Sequence, residues 1–336
     1  MCFWPERGFT VQPIERLPIL ILYPHSRCNC RCVMCDIWKI DKVQELSPDD
    51  LERNAADIES LGVRWAVFSG GEPLMHSDLP GLTRVLRSRG IRITLLTSGL
   101  LLGKKAAVVA ETVDDVIVSL DGPPAIHDQI RRVPRAYELL ASGTRALRAE
   151  RPNMPVAARC TVQRANHLHL RETVETAASL GLWSVSFLAA DLTSKAFNRP
   201  EGWPPERTQE VALSAKEADR LAEEVERLIE DLPGRPGFVL ETPEKLRRIV
   251  RHFRAHLGLA EPVAPPCNAP WVSAVIESDG TVRPCFFHRG IGNIRRQSLR
   301  EALNGAEGTG FRSALDIPGN PICRRCVCSL HHSPDK

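Results

Sequence analysis

Residues 17–36 read Leu-Pro-Ile-Leu-Ile-Leu-Tyr-Pro-His-Ser-Arg-Cys-Asn-Cys-Arg-Cys-Val-Met-Cys-Asp. The apolar run Leu17–Tyr23 reads as a buried strand, and a cysteine-rich loop follows it directly. The same strand-like pattern recurs at Arg64–Ser69, Ile91–Thr97, Asp114–Leu120, Val156–Val162 and Ser184–Ala189. Helical patterns lie between them, near Leu79–Arg89, over Arg135–Glu150 and over Leu168–Leu180. Another opens at Ser47, an N-cap residue followed by Pro48, Asp49 and Asp50. Alternating strands and helices imply an α/β fold with a parallel sheet, either an open doubly wound sheet or a barrel. In both, chemistry collects at the carboxyl ends of the strands.

The chain has 336 residues and eleven cysteines, at 2, 28, 30, 32, 35, 160, 267, 285, 323, 326 and 328. No secretory pattern opens the chain, so the expected compartment is the reducing cytoplasm, where clustered thiols point to metal or catalysis. Cys2 and Cys160 stand apart and read as small hydrophobes. Cys28, Cys32 and Cys35 are spaced C-x3-C-x2-C. Three thiolates on one short loop suit three irons of a four-iron cluster, leaving the fourth iron open. A zinc site completed by His25 or Cys30, or a closed structural cluster, is the competing reading.

The strand ends carry polar motifs. Ser69-Gly-Gly-Glu-Pro73 follows the second strand, Thr97-Ser-Gly99 the third, and Ser119-Leu-Asp-Gly122 the fourth. The fifth strand carries Arg159-Cys-Thr161, with Asn166 beyond it. Paired glycines permit close backbone approach to a ligand, and Glu72 adds a carboxylate suited to an ammonium group.

In this order, over roughly residues 17–190, the motifs resemble the radical S-adenosylmethionine (radical SAM) superfamily. The resemblance implies a partial (β/α)6 TIM-like barrel. It also implies a [4Fe-4S] cluster on Cys28, Cys32 and Cys35, whose open iron is chelated by S-adenosylmethionine. Reductive cleavage then gives methionine and a 5′-deoxyadenosyl radical that takes hydrogen from a substrate. An electron donor such as flavodoxin or ferredoxin is implied. Position by position, Gly70, Gly71 and Glu72 would hold the methionyl amino group, Ser119 the ribose and Arg159 the carboxylate. Met34, where an aromatic residue is common, would meet adenine through its backbone. Ser98 stands where Asn is common.

A strongly amphipathic helix spans Ala215–Leu232, and the pattern changes near residue 235, where Pro and Gly become frequent and the later cysteines fall between short strands and turns. The expected organisation is an N-terminal extension (1–16), a core barrel (17–235) and a C-terminal domain (236–336). Asp279-Gly280 reads as a hairpin turn that brings Cys267 and Cys285 to one end, and Cys323-Arg-Arg-Cys326 supplies two more thiols. This set resembles the auxiliary-cluster extension called twitch, a shortened SPASM domain, and implies one auxiliary [4Fe-4S] cluster. A four-cysteine zinc knuckle is the alternative. Cys30 and Cys328 have no assigned role, and His331 and His332 read as a frayed tail.

The formal net charge is +3 with basic residues scattered, so nucleic-acid binding is not indicated. No apolar run is long enough to span a membrane. With the first cluster starting at residue 28, no peptide-recognition domain precedes it in this sequence. The expected substrate is therefore a small molecule such as a sugar, aminocyclitol or nucleoside intermediate, in a possible net two-electron oxidation. The runner-up is a peptide maturase with a separate recognition protein. Asp191, just past the sixth strand, is a candidate substrate contact or base, and equally a loop carboxylate. A metal-binding protein without catalysis would not need Gly70-Gly71-Glu72 or Ser119.

Overall fold

The computed structural model describes residues 12–333, so Cys2 and the opening stretch read for a secretion signal lie outside the described residues. Six strands stand where the sequence puts them: β1 (Ile19–Leu22), β2 (Trp65–Phe68), β3 (Arg92–Thr97), β4 (Asp115–Ser119), β5 (Val156–Val162) and β6 (Val185–Ala189). They pair in parallel, each with its predecessor in the chain. Such pairing requires a crossover between successive strands. Helices supply it, among them Leu79–Arg87, Ala136–Glu150 and Leu170–Ser179. The helix Leu102–Thr112, absent from the sequence reading, makes the crossover from β3 to β4 and buries Leu102, Ala106 and Val109 on one face.

Alternation along the strands sorts the two faces of the sheet. Leu20, Leu22, Phe68, Ile93, Leu95, Val116, Val118, Val156 and Cys160 are buried beneath the helices. The residues between them, such as Val67, Ile117, Ser119 and Arg159, remain partly or fully accessible on the other face. That face lines the concave side of the partial barrel. In register across its mouth lie Ser119, Arg159 and Ser186.

The sheet runs on past residue 235. β7 (Ser273–Ile276) pairs in parallel with β1, and β8 (Thr281–Arg283) and β9 (Gly292–Asn293) continue it antiparallel. The full order is β6-β5-β4-β3-β2-β1-β7-β8-β9. Gly280 makes the β7–β8 turn with a φ of 84°, a conformation glycine tolerates best. At the other edge, residues 238–240 cover β6 through Val185 N–H to Phe238 O (2.7 Å) and Leu240 N–H to Val185 O (3.0 Å).

The region expected to hold short strands and turns instead begins with a helix, Pro243–His256. Thr242 caps it, Pro243 takes its first position, and Leu246, Ile249, Val250 and Phe253 form its buried stripe. The tail is not frayed at His332. Its N–H donates to Asn268 Oδ1 (2.9 Å), and its carbonyl accepts from Asn268 Nδ2 (2.7 Å). The side chain of a residue next to Cys267 thus holds the chain end by its backbone.

Candidate active site and auxiliary metal centre

The loop carrying Cys28, Cys32 and Cys35 is fixed at several points. Arg31 N–H and Val33 N–H donate to the carbonyls of Arg131 and Ile130, the last two residues of the helix Pro124–Arg131. These satisfy carbonyls that a helix end leaves open. Ile37 N–H points at Cys35 Sγ (3.4 Å), and Trp38 Nε1 donates to Cys35 O (2.9 Å). A strap from the loop after β6 holds the far side. Trp203 Nε1 donates to Asp36 Oδ2 (2.6 Å), Arg207 donates to Val33 O, and Asp36 N–H donates to Phe197 O.

Burial and the neighbouring Cys32 and Cys28 push the Cys35 thiol up. Cys32 is pulled down, chiefly by the thiol of Cys30 and further by Arg131, against its own burial. Arg131 Nη1 donates to Cys32 Sγ (3.5 Å). His25 turns its Nδ1 to the N–H of Arg27 (3.0 Å), with Nε2 3.7 Å from Glu45. Both of its nitrogens are therefore occupied by its own loop and its neighbour. Cys30 lies buried against Cys28 and Cys32.

The Gly-Gly-Glu turn presses onto this loop. A Cβ at Gly71 would lie 2.1 Å from Arg27 O, and one at Gly70 would lie 2.6 Å from the Tyr23 ring. Gly70 also has a φ of 94°. Only glycines allow the approach. Glu72 is completely buried, and its carboxylate accepts from Leu74 N–H, Thr97 Oγ1, Ser98 N–H and Ser98 Oγ at 2.6–3.0 Å. Four donors fill the acceptor positions of a carboxylate. Glu72 thus ties the end of β2 to the end of β3. Ser98 Oγ also lies 3.0 Å from Asn29 Oδ1, beside Cys28. Met34 packs on the core, and Arg159 Nε donates to Ser186 Oγ (3.2 Å) across the barrel mouth.

Asp191 is nearly buried and already engaged. It is paired with Arg199, itself buried and stacked 4.2 Å from the Trp203 ring, and accepts from Ser194 Oγ (2.5 Å). It lines a cavity of about 320 Å³ together with Thr193, Ser194, Phe287, Arg325 and Cys326. This cavity lies between the loop that follows β6 and the second cysteine set.

Cys267, Cys285, Cys323 and Cys326 line one apolar pocket that Pro265, Pro270 and Phe287 also wall. The hairpin brings in Cys285, a short helix capped by Asn320 presents Cys323, and Cys326 follows just past that helix's end. Burial raises the Cys285 thiol to about 12 and the Cys323 thiol to about 11, with neighbouring thiolates adding to both. Burial keeps such sulfurs neutral as thiols, and a cationic metal centre, which holds thiols deprotonated, is what would let the four ionise together in so dry a pocket. His288, which the sequence reading passed over, lies with Nε2 3.5 Å from Cys323 Sγ. The first loop passes a comparable test for a cluster and its ligand. It combines three thiols, an N–H and a guanidinium aimed at sulfur, and a glycine turn too tight for any side chain. Asp121 and Arg131 also went unread as site residues, because only the folded chain brings them to Cys32.

Comparison with known proteins agrees with this geometry. Residues 22–180 match the radical SAM superfamily, and residues 267–327 match SPASM, an iron–sulfur cluster-binding domain. The AdoMet-dependent heme synthase of Methanosarcina barkeri is 28% identical over 83% of the chain and 80% of that protein. The PqqA peptide cyclase of Ruegeria pomeroyi is 27% identical over 89% of the chain and 77% of that protein. Among solved structures, Streptococcus suis SuiB bound to S-adenosylmethionine superposes with a TM-score of 0.66 at 15% identity, covering 94% of the chain and 73% of SuiB. The anSMEcpe enzyme with bound AdoMet gives 0.66 at 19%, covering 92% and 87%. With these matches and a partial barrel that carries thiol loops at both expected places, the chain belongs to the radical SAM superfamily as an iron–sulfur, S-adenosylmethionine-dependent enzyme with a C-terminal SPASM domain.

Proposed function

We propose that this enzyme abstracts hydrogen from a residue of a ribosomally made peptide, presented with the help of a separate recognition protein. One observation carries the choice of a peptide over the sugar, aminocyclitol or nucleoside class. The PqqA peptide cyclases of Ruegeria and of two Xanthomonas species align with 89–92% of the chain, through barrel and SPASM domain alike. The cavity of about 320 Å³ beside Asp191 suits a side chain with its flanking backbone.

In this reading Cys28, Cys32 and Cys35 hold the [4Fe-4S] cluster with the open iron, and Cys267, Cys285, Cys323 and Cys326 hold an auxiliary one. When bound and reduced, the first cluster supplies the electron that splits S-adenosylmethionine into methionine and a 5′-deoxyadenosyl radical. The chain's own residues do the positioning. The Gly70–Gly71 backbone receives the methionyl amino group, while Glu72 fixes the shape of that turn from behind. Arg159 meets the carboxylate, Ser119 the ribose, and the Met34 backbone the adenine. Asp191, held by Arg199 and Ser194, orients the substrate residue between the two thiol sites. Cys326 lines both that cavity and the four-cysteine pocket, so a cluster held there would supply an electron acceptor beside the substrate.

The test is anaerobic reconstitution and reduction with S-adenosylmethionine, in the presence of deuterated precursor peptides encoded near the gene. Deuterium is expected in 5′-deoxyadenosine. Label arriving only from deuterated aminocyclitols, nucleosides or tetrapyrroles would overturn the peptide reading. Failure to form any 5′-deoxyadenosine would remove the radical chemistry itself.

A further inference from the structure

Arg131 is a buried cation with an unusual set of neighbours. Its Nη1 donates to Cys32 Sγ (3.5 Å), and its Nη2 lies 2.6 Å from Asp121 Oδ2. All three residues are buried: Arg131 is 7% exposed, Cys32 6% and Asp121 0%. Asp121 is itself fixed from three sides. Its Oδ1 accepts from Thr161 N–H (2.9 Å), its carbonyl from Asn166 Nδ2 (2.8 Å), and its N–H donates to His127 Nδ1 (3.2 Å). Arg131 also ends the helix whose last two carbonyls bind the N–H groups of Arg31 and Val33, on either side of Cys32. The guanidinium is therefore held at one sulfur by its own helix and by a carboxylate rooted in β4 and β5.

Burying such an ion pair carries a desolvation penalty that an apolar pair filling the same space would not. A permanent cation that hydrogen-bonds a cluster thiolate favours the more negative, reduced state, because its charge is felt strongly in a dry interior.

We propose that Arg131, held by Asp121, is a positioning residue that raises the reduction potential of the cluster on Cys32. It lets a cellular donor deliver the electron while leaving the auxiliary centre unaffected. The proposal rests on the assignment of that cluster to Cys28, Cys32 and Cys35.

The experiment is EPR-monitored redox titration of the reconstituted full-length enzyme. The cluster at issue is identified as the signal that changes on adding S-adenosylmethionine, and the auxiliary signal is the internal control. In Arg131→Gln the responsive signal is expected to titrate at a more negative potential, with the auxiliary signal in place. Arg131→Lys, which keeps the charge but loses the fixed fork, should fall between. An unshifted responsive signal in Arg131→Gln would overturn the proposal. So would loss of that cluster from both variants, since Arg131 would then be a mere structural prop. If no signal of the unmodified enzyme responds to S-adenosylmethionine, the cluster assignment itself fails, which is a distinguishable result.

Discussion

Arg295, which follows β9, reaches back across the fold to Asp50 in the helix after β1, with Nη2 2.8 Å and Nε 3.1 Å from Oδ2. The same Asp50 closes the capping box with Ser47 and takes Arg53 at 2.6 Å. Asn54 adds a second tie one turn on, accepting from Leu299 N–H (2.8 Å). The C-terminal third is thus latched to the barrel by a nearly buried carboxylate with three sets of donors.

The latch makes stability depend on acid. Burial alone would raise the Asp50 carboxyl, but its bonds to Arg295 and Ser47 outweigh that and hold it below the ordinary range. A lowered carboxyl stabilises the fold above its unfolded value, about 3.9, and that contribution is lost as pH falls through the folded value. Asp50→Ala should cost about 1–2 kcal/mol at pH 7 by removing the carboxylate that Arg295 and Arg53 face and by opening the cap. The gap between the two unfolding curves should close below about pH 4. A gap that persists unchanged into acid would contradict the assignment.

Iron content separates the two thiol sets. The intact enzyme should bind about eight irons per chain, and replacing Cys267, Cys285, Cys323 and Cys326 together by Ala should leave about four. Metal analysis checks it, since zinc in place of the missing four would assign a zinc knuckle to the second site.

Gly71→Ala asks whether the glycine turn and the cysteine loop must touch. The added methyl would fall 2.1 Å from Arg27 O, so one of the two segments has to move. Far-UV circular dichroism should stay native, because the clash lies in loops. Binding of S-adenosylmethionine, read by the change in the EPR spectrum of the reduced enzyme, should be lost or strongly weakened. Native binding in this variant would show that the close approach is incidental.

Glu72→Gln tests the buried carboxylate that ties β2 to β3. Its amide nitrogen would face hydroxyl or N–H donors that now point at oxygen, leaving buried donors unmatched. Denaturant unfolding should show a loss of about 2 kcal/mol. The KM for S-adenosylmethionine should rise with the loosened turn. A stable variant with a raised KM would instead assign the carboxylate to direct contact with the methionyl amino group.

What the sequence made legible is what short-range pattern encodes. The runs around Ile93 and Val116 show β3 and β4, and C-x3-C-x2-C with Gly70-Gly71-Glu72 shows the superfamily. What it left out depends on contacts distant in sequence. Asp121 stands in the quoted Ser-Leu-Asp-Gly motif and Arg131 a few residues on, but Cys32, their target, lies 99 residues before Arg131. β7 reads as part of a hairpin, and only the register of Leu22 against Ile276 reveals it as the neighbour of β1. The helix Pro243–His256 was there to be read from Thr242-Pro243-Glu244 and the spacing of Leu246, Ile249, Val250 and Phe253. The high density of Pro and Gly on either side hid it.

The pairing of β1 with β7 bears on how this enzyme can be dissected. Cutting the chain near residue 235 would strip Ile19–Leu22 of one partner and leave its backbone groups bare at the strand that leads into Cys28. The front portion made alone should aggregate rather than yield a one-cluster enzyme. The two thiol sites have to be inactivated by substitution, because the molecule offers no seam along which they could be parted.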